Sequence, residues 1–380
     1  MDYARLKKDV IAFSRQIEID LIGFTTADPF MELKERLTTQ KELGYESGFE
    51  EKDIVKRCHP EYILQDAKSM IAIALAYPSH MKNPPKSEPG QYRGMMARVA
   101  WGEDYHRVLQ NKLKKLEDFI KERIPSANCV SMVDTGVLSD RAVAVRAGLG
   151  WIGKNTSLIT EQYGSWVYLG EMITNIPFLP DSPAEGDCGD CQKCLDFCPT
   201  GALIQGGQLN AKRCLAFLTQ VKETLPEDVQ IAIGNRIYGC DTCQQVCPKN
   251  KGKNFTHHEE FLPDGELVKP LLLSLVTMGK KEFAMKFSHS SAAWRGKKPI
   301  QRNAILALAH FKDVTAISAL IDVLHKDPRP TIREAAAWSL GRIGGAEALI
   351  GLIDGRNKEK DEEVLQQIHT SIKLLENVDN

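Results

Sequence analysis

CGDCQKCLDFCP at residues 188–199 and CDTCQQVCP at residues 240–248 are the two cysteine-rich runs of this chain. The first run has the C-x2-C-x2-C-x3-C-P spacing with which bacterial-type ferredoxin loops hold a four-iron cluster. The second run is the same motif without its first cysteine, because Ile237 stands three residues before Cys240. The spacing therefore predicts a ferredoxin-like segment with two clusters and one ligand still to be found.

The missing ligand is predicted to be Cys214, the one cysteine between the two runs. In two-cluster ferredoxins the last cysteine of each run ligates the other cluster. This exchange predicts two groups of four ligands, which are Cys188, Cys191, Cys194 and Cys247 for one cluster and Cys198, Cys214, Cys240 and Cys243 for the other. Structural zinc is the alternative, but a zinc site needs neither a third cysteine at this spacing nor the proline after each run.

The composition describes an ordinary globular protein of 380 residues, with 43% hydrophobic residues, 26% charged residues and a net charge of −1. It has room for two or three domains, and the net charge provides no overall attraction to nucleic acid. Only Cys58 and Cys129 fall outside the cluster motifs, which favours a reducing compartment. The longest apolar run, at 70–77, is too short to span a bilayer. We expect a cytoplasmic protein without a membrane segment.

The first 180 residues mix strand and helix patterns. Strands are predicted for LIGFTT at 21–26 and SMIAIALAYP at 69–78, and an amphipathic helix is predicted over 106–123. A further strand over 127–136 is expected to end at Asp134, and Ser139 is placed to cap a helix over 140–147. Two more strands follow at 157–174. The mixture predicts one α/β or α+β domain.

A glycine-rich stretch, GLGWIGK at 148–154, matches the G-x-G-x-x-G pattern of dinucleotide-binding loops. Such a loop should follow a strand and open a helix, whereas this one follows a predicted helix and precedes a strand. For a Walker A loop, Asn155 stands where the magnesium-binding Ser or Thr belongs. The favoured interpretation is a helix C-cap glycine followed by a tight turn.

The last 80 residues have the pattern of helical repeats. QRNAILALAHF at 301–311 and IREAAAWSLGRI at 332–343 are related by a shift of 31 residues, and each precedes a second apolar helix. Helix pairs at this period are typical of HEAT-type repeats, and a helix over 363–376 is expected to close the stack. Between Arg295 and Arg342, nine basic residues and four acidic residues give a net charge of +5. This is either a phosphate-binding surface or a solvated helix face.

Several short motifs together resemble the epoxyqueuosine reductase family over nearly the whole chain. They are RCHP at 57–60, WGEDYH at 101–106, VDTG at 133–136 with Asp140 and Arg141, GWIGKN at 150–155 and the two cysteine runs. The resemblance implies an α+β fold with an N-terminal α/β cobalamin-binding domain at 1–180 and a two-[4Fe-4S] ferredoxin-like domain at 181–255. A helical connector at 256–298 and a HEAT-like repeat domain at 299–380 would follow.

The activity implied by this resemblance is the last step of queuosine biosynthesis. Epoxyqueuosine at the wobble position of tRNA would be reduced to queuosine by Co(I) cobalamin, which two [4Fe-4S] clusters supply with electrons. The implied partners are the anticodon stem-loop of tRNA and an external electron donor. We expect a monomer.

The resemblance also implies roles for individual residues. Asp134 is expected to be the proton donor beside the cobalamin, with its carboxyl group kept neutral by desolvation. The modified base is expected to contact Asp104, Tyr105, His106 and Arg141, with Arg141 facing the substrate instead of touching Asp134. The corrinoid is expected to contact Arg57, Asp134, Leu158 and Asp241. Ala97 departs from the family pattern, which has a small polar residue there.

Two other functions agree with the same cysteine motifs. One is a flavin- or corrinoid-dependent reductase of another small substrate, and the other is an electron-transfer or scaffold protein that binds a partner through its repeats. A bound yellow chromophore would indicate flavin, whereas an α/β domain without a cofactor would indicate a scaffold.

Overall fold

The structure is a computed structural model that describes residues 2–377. These residues form two compact units, each assembled from segments far apart in sequence. Unit 1 contains the described part of Met1–His80, Glu103–Cys214 and Thr242–Leu262, and unit 2 contains Met81–Gly102, Leu215–Asp241 and the described part of Pro263–Asn380. This division by packing cuts across the four predicted domains, which followed the order of the chain.

The helices and strands are labelled here in chain order. Strands β1 to β10 are Leu21–Thr26, Ser69–Ala76, Met95–Met96, Cys129–Met132, Trp151–Ile152, Leu158–Ile159, Val167–Thr174, Leu203–Gln205, Gln208–Leu209 and Arg236–Tyr238. Helices α1 to α17 are Tyr3–Gln16, Met31–Glu42, Ile54–Cys58, Tyr105–Arg123, Asp140–Arg146, Lys193–Asp196, Leu215–Leu218, Glu227–Ile233, Thr242–Gln245, Gly265–Val268, Leu272–Thr277, Lys280–Phe287, Lys297–His310, Ile317–Lys326, Pro330–Ile343, Ala346–Lys358 and Glu362–Glu376.

Unit 1 is organised around a four-stranded antiparallel sheet with the strand order β1-β2-β7-β4. Every residue of β2 is buried, which is why its sequence is apolar without alternation. The strands predicted at 21–26 and 69–78 are confirmed. The strand expected to end at Asp134 stops earlier, at Met132, because the chain turns through a positive φ of 54° at Asp134.

The glycine-rich stretch at 148–154 is a turn, as the favoured interpretation predicted. Gly148 has a φ of 80° and ends the segment after α5, donating its N–H to the Val145 carbonyl. At Gly150, an added Cβ would lie 2.2 Å from the carbonyl oxygen of Ile159, in the partner strand of the β5–β6 hairpin. Glycine is required here for a close packing of main chains.

Unit 2 contains the predicted repeat helices. Helices α13, α15 and α17 pack side by side, and α14 and α16 form the second helices of the pairs. The expected closing helix is present as α17. Helix α13 is buried continuously from Pro299 to Ala309, since it is covered by other elements of unit 2 as well as by its repeat neighbour α15.

The basic segment from Arg295 to Arg342 has less free charge than its sequence suggested. Arg302 is 2% exposed and donates to the main-chain carbonyls of Leu218, Val221 and Glu223. Four of the other eight basic groups have carboxylate partners, in the pairs Lys326–Asp322, Arg329–Asp327, Arg333–Glu359 and Arg342–Glu227. The side-chain arrangement therefore does not favour a broad phosphate-binding face on this segment.

Replacing Arg302 by Met is expected to lower the free energy of unfolding of unit 2 by about 3 kcal/mol, because buried carbonyls lose their donor. The measurement is urea unfolding followed by circular dichroism. Lys312→Met, at an exposed position of the same unit, is the control and should change stability by less than about 0.5 kcal/mol. Equal midpoints for the two variants would contradict a structural role of Arg302.

Among residues 2–377, no helix combines the length and the apolar character needed to cross a bilayer.

Candidate active site and cluster cavity

Four predicted cluster ligands line one cavity in unit 1. Cys188, Cys191 and Cys194 come from the first run, and Cys247 is the last cysteine of the second run. The main-chain N–H of Lys154 points to the Cys188 sulfur at 3.4 Å. The rest of the lining is Lys154, Asn155, Ile159, Lys193, Pro248 and Lys249. With four thiols and three lysines, this donor set suits an iron–sulfur cluster whose thiolate ligands carry negative charge.

The other four predicted ligands are not among the residues that line this cavity. The Cys198 sulfur accepts the main-chain N–H of Ala202 at 3.3 Å. Burial opposes ionisation, but main-chain N–H groups of the following turn lower the pKa of the Cys198 thiol below its usual value. The remaining three are Cys214, Cys240 and Cys243, and their assignment to one cluster with Cys198 stays a prediction.

A chain of three ionisable side chains lies at the start of α4 in unit 1. Asp104 caps the helix, and its Oδ1 accepts the main-chain N–H of His106 at 3.1 Å and lies 2.6 Å from His106 Nδ1. On the other side of the imidazole, Nε2 is 3.4 Å from Oδ2 of Asp134. Burial disfavours the charged imidazole, but the two carboxylates raise the pKa of His106 to about 9. His106 is therefore protonated at neutral pH.

Asp134 carries a negative charge at neutral pH in the protein alone, whereas the neutral carboxyl group was expected with the corrinoid and the base over it. Its side chain is 61% exposed, so desolvation is limited. His106, whose Nε2 lies 3.4 Å from the carboxylate, lowers the pKa of Asp134 below the usual value, with smaller contributions from Tyr105 and Arg141. The neutral form with ligands bound stays a prediction, and it has to overcome the imidazolium beside the carboxylate. The proton of this pair resides on His106.

Arg141 is exposed on α5 and donates through Nη1 to the main-chain carbonyl of Thr156 at 2.5 Å. Arg57 lies close enough for its charge to act on the Arg141 guanidinium. Two neighbouring guanidinium groups favour a ligand that offers phosphate or carbonyl oxygens. Both a corrinoid, with its amide and phosphate groups, and a nucleotide substrate have such oxygens.

The other residues predicted to contact the corrinoid are placed as follows. Leu158 is buried in β6 of unit 1. Asp241 belongs to unit 2, where its Oδ2 accepts the main-chain N–H and the Nη1 of Arg98, each at 2.9 Å. Ala97, also in unit 2, lies so close to Gly239 that an added Cβ there would be 2.5 Å from the Ala97 Cβ. Asp241 thus has a structural partner, and contact with a corrinoid stays a prediction for these positions.

Three parts of the chain match known family models. Residues 57–135 match "Epoxyqueuosine reductase QueG, DUF1730", residues 187–250 match "4Fe-4S double cluster binding domain" and residues 295–373 match "HEAT repeats". The epoxyqueuosine reductase of Bacillus anthracis is 59% identical over 99% of both chains, and that of Bacillus subtilis is 56% identical over 99% of this chain and 97% of the relative. The chain belongs to the epoxyqueuosine reductase family.

Solved structures of epoxyqueuosine reductases have the same fold. One is a crystal structure with an epoxyqueuosine-modified tRNA-Tyr stem loop, which is 56% identical with a TM-score of 0.97 over 99% of this chain and 100% of that chain. Another is the Bacillus subtilis enzyme with the Asp134 catalytic loop swung out of the active site, at 56% identity and a TM-score of 0.96 over 98% and 100%. The predicted α+β fold, family and oxidoreductase class are confirmed, and the match to the double cluster binding domain supports two [4Fe-4S] clusters.

The roles of two carboxyl groups next to the site were missed in the sequence, where Asp140 entered only as part of a family motif and Glu171 was not singled out. Asp140 begins α5, and its Oδ2 accepts the main-chain N–H of Asp134 at 2.8 Å. Glu171 lies in β7 with no exposed surface. Its position inside the apolar run VYLGEMIT was the available signal, because a fully buried glutamate is rare without a partner.

Proposed function

We propose that this chain reduces the epoxide of epoxyqueuosine in tRNA to the alkene of queuosine, as a cytoplasmic monomer supplied by an external electron donor. The observation that carries the proposal is the Asp104–His106–Asp134 chain, which holds a proton at neutral pH in the same unit as a cavity lined by four cysteines. The names of the full-length relatives and the structure with a modified tRNA stem loop support it.

The reaction consumes two electrons and two protons, because the epoxide oxygen leaves as water and an alkene remains. When bound, cobalamin supplies the nucleophile that attacks the epoxide, and the clusters supply its electrons. The residues of the chain bind the substrate and deliver protons. The pKa values place the first proton on His106, and its transfer is assigned to Asp134 because that carboxylate lies 3.4 Å from Nε2.

Proton delivery follows the order of the three side chains. Asp104 holds Nδ1 of His106 at 2.6 Å, which fixes the ring and leaves Nε2 directed at Asp134. The proton on Nε2 passes over 3.4 Å to Oδ2 of Asp134 and from there to the oxygen that leaves the epoxide. A positioned acid of this kind protonates the alkoxide as it forms and raises the rate.

Substrate binding is assigned to the residues that surround the Asp104–His106–Asp134 side chains. The ring of Tyr105 stacks on His106 with 4.1 Å between ring centroids and on Tyr168 with 4.6 Å. Such stacking fixes the first turn of α4, since an aromatic side chain held on both faces loses its rotamer freedom. Arg141 and Arg57 provide donors for the oxygens of the cofactor or of the modified nucleotide.

The cofactor content tests this function against its alternatives. Anaerobically purified protein should show a corrinoid visible spectrum after reconstitution, and about eight irons per chain. A flavin spectrum would indicate a reductase of another substrate. An iron-loaded protein that takes up neither cofactor would indicate an electron-transfer or scaffold protein.

For tRNA docking, we propose the basic loop PKNKGKNF at 248–255 as the phosphate-binding element. Lys249 and Lys251 are exposed there, whereas Lys253 donates to the main-chain carbonyls of Glu161 and Gln162. Lysine contacts to phosphates release counterions and provide affinity that does not depend on sequence. The loop is favoured over the repeat segment as the docking element, because the arginines of that segment are largely paired or buried.

Lys251→Glu is expected to weaken binding of the epoxyqueuosine stem-loop by about tenfold and to reduce the slope of log Kd against log salt by about 1. Fluorescence anisotropy at several salt concentrations measures both quantities. Lys8→Glu is the control, because Lys8 is exposed on α1 and makes the same charge change outside the loop. Equal effects of the two variants would show that only net charge matters and would remove the loop from the proposal.

A further inference from the structure

The buried carboxyl group of Glu171 is not explained by substrate binding or by proton transfer through His106. Glu171 lies in β7, opposite Ala72 of β2 and Met132 of β4, and has no exposed surface. Within residues 2–377, no hydrogen-bond donor reaches either of its carboxyl oxygens. An ionised carboxylate in this position would have neither water nor a donor to stabilise it. The protonated group, in contrast, can itself donate a hydrogen bond.

Helix α5, which begins at Asp140, packs against β7, and the carboxylate of Asp140 is the acceptor that this packing brings to Glu171. Asp140 Oδ2 also accepts the main-chain N–H of Asp134 at 2.8 Å. Asp134 has a φ of 54°, a region that non-glycine residues rarely occupy unless the surroundings hold them there. The buried carboxyl group of Glu171 and the half-buried one of Asp140 thus lie next to the turn that presents the Asp134 side chain.

The charges around Glu171 favour its neutral form. The facing residues of β2 and β4 are Ala72 and Met132, which carry no charge, while α5 contributes Asp140 and the turn after β4 contributes Asp134. Burial and then the charge of Asp140 raise the pKa of Glu171 well above its usual value. Burial also raises the pKa of Asp140, to about 6. At neutral pH the pair therefore holds one proton, on Glu171, and one negative charge, on Asp140.

The cations of the neighbourhood are directed elsewhere. Arg141, next to Asp140 in sequence, donates to the carbonyl of Thr156, and its charge acts on Asp140 without an ion pair being formed. His106 is paired with Asp104 and lies beside Asp134. The hydrogen that Asp140 can receive on its buried side is therefore the one on Glu171.

We propose that Glu171 is a positioning residue for the catalytic turn: its protonated carboxyl group donates to Asp140, and Asp140 in turn holds the main-chain N–H of Asp134. This inference rests on the proposed role of Asp134. Loss of the Glu171 proton places two negative charges side by side in a buried position. The Asp140 carboxylate then shifts away, and the turn at Asp134 loses its anchor.

Two variants separate a hydrogen-bond donor from an ionising group. Glu171→Gln has nearly the same shape, keeps a donor toward Asp140 and never ionises. Glu171→Leu fills the volume without a donor. Hydrogen–deuterium exchange of residues 133–140, measured on the full chain without substrate and corrected for the intrinsic exchange rate, reports the anchor independently of turnover. Infrared difference spectra of the parent and Glu171→Gln report the protonated carboxyl group itself.

At neutral pH, residues 133–140 should be as protected from hydrogen–deuterium exchange in Glu171→Gln as in the parent. In the infrared difference spectrum, the band of a protonated carboxyl group should be present in the parent and absent in Glu171→Gln. As pH rises through the titration of Glu171, the parent should lose this protection while Glu171→Gln keeps it. Glu171→Leu should exchange at least tenfold faster in this segment and lower kcat by a similar factor, with its KM for tRNA unchanged.

The proposal is overturned if Glu171→Gln loses protection at neutral pH, or if no protonated carboxyl band distinguishes it from the parent. Full protection in Glu171→Leu would also overturn it. Should Glu171→Leu not fold, the pH dependence of Glu171→Gln decides alone. Because exchange is measured without substrate, an inactive parent enzyme with the expected protection pattern would refute the proposed function and leave this inference standing.

The stability of the fold provides a linked readout. Glu171 keeps its proton in the folded chain at pH values where the unfolded chain has lost it, so the folded state binds more protons. Its contribution to the free energy of unfolding is complete below the unfolded pKa and is lost as pH rises through the folded pKa. Glu171→Gln should therefore have a flatter dependence of melting temperature on pH than the parent.

Discussion

Replacing Asp134 by Asn is expected to lower the rate of epoxyqueuosine reduction by a factor of about 10²–10⁴, while clusters and cobalamin stay bound. Asparagine keeps the shape of the side chain and the main-chain N–H that Asp140 accepts, but it cannot take the proton of His106 and pass it to the leaving oxygen. The measurement is single-turnover conversion of tRNA by protein of known iron and cobalamin content.

The control for this variant is Asp118→Asn. Asp118 is an exposed aspartate on α4 that pairs with Lys114 at 2.9 Å, so the same chemical change is made away from the His106 chain. Its rate should equal that of the parent. Near-parent turnover of Asp134→Asn with full cofactor content would show that Asp134 does not transfer the proton, and His106→Gln would then test whether the imidazole acts directly.

The pH profile of kcat/KM tests whether His106 is the source of this proton. Since its pKa is raised to about 9, kcat/KM should stay high below that pH and fall as pH rises through it. Asp104→Asn removes the carboxylate that raises the pKa, so the alkaline fall should move to lower pH. An alkaline limb that is identical in parent and Asp104→Asn would assign it to another group.

The second large effect is expected from Cys247. Cys247→Ala should lower the iron content from about eight to about four per chain and abolish reduction, because a cluster with three ligands is lost. Cys214→Ala should have the same effect on the other cluster. Cys58→Ala is the control, since Cys58 lies outside both motifs and should keep all of the iron.

Double variants test which cysteines share a cluster. Cys194 and Cys247 line the same cavity, so Cys194→Ala with Cys247→Ala should remove one cluster and leave about four irons. Cys194→Ala with Cys198→Ala should remove both clusters, although these two cysteines belong to the same run. The opposite result, with one cluster left in the second double variant, would show that each run binds its own cluster.

The sequence was sufficient wherever spacing alone determines the outcome. The two cysteine runs predicted both clusters, and the exchange of last cysteines placed Cys247 with the first run, as the cavity has it. The unbroken apolar run at 69–78 predicted the central strand β2. The glycine pattern at 148–154 follows a helix and precedes a strand, unlike a dinucleotide-binding loop, and this order predicted a turn. Gly148 has the positive φ that such a turn requires.

The errors arose where the result depends on a neighbour distant in the chain. The pairing of Asp134 with His106, which lies on another element and lowers the Asp134 pKa, was not visible in the sequence. Arg302 was counted as surface charge, but it is buried and donates to main-chain carbonyls that lie about 80 residues away in sequence. Glu171 was not noticed because its partner, Asp140, lies on a helix packed against its strand. These pairings come from tertiary packing, which charge counts and periodicity do not describe.

Mass spectrometry of nucleosides from tRNA tests the central claim most directly. Epoxyqueuosine-containing tRNA is incubated anaerobically with the cluster- and cobalamin-loaded protein and a chemical reductant, then digested and analysed. The expected result is conversion of epoxyqueuosine to a nucleoside lighter by one oxygen atom that co-elutes with queuosine, in the loaded protein and not in Asp134→Asn. Unchanged epoxyqueuosine after incubation with fully loaded parent protein would contradict the claim.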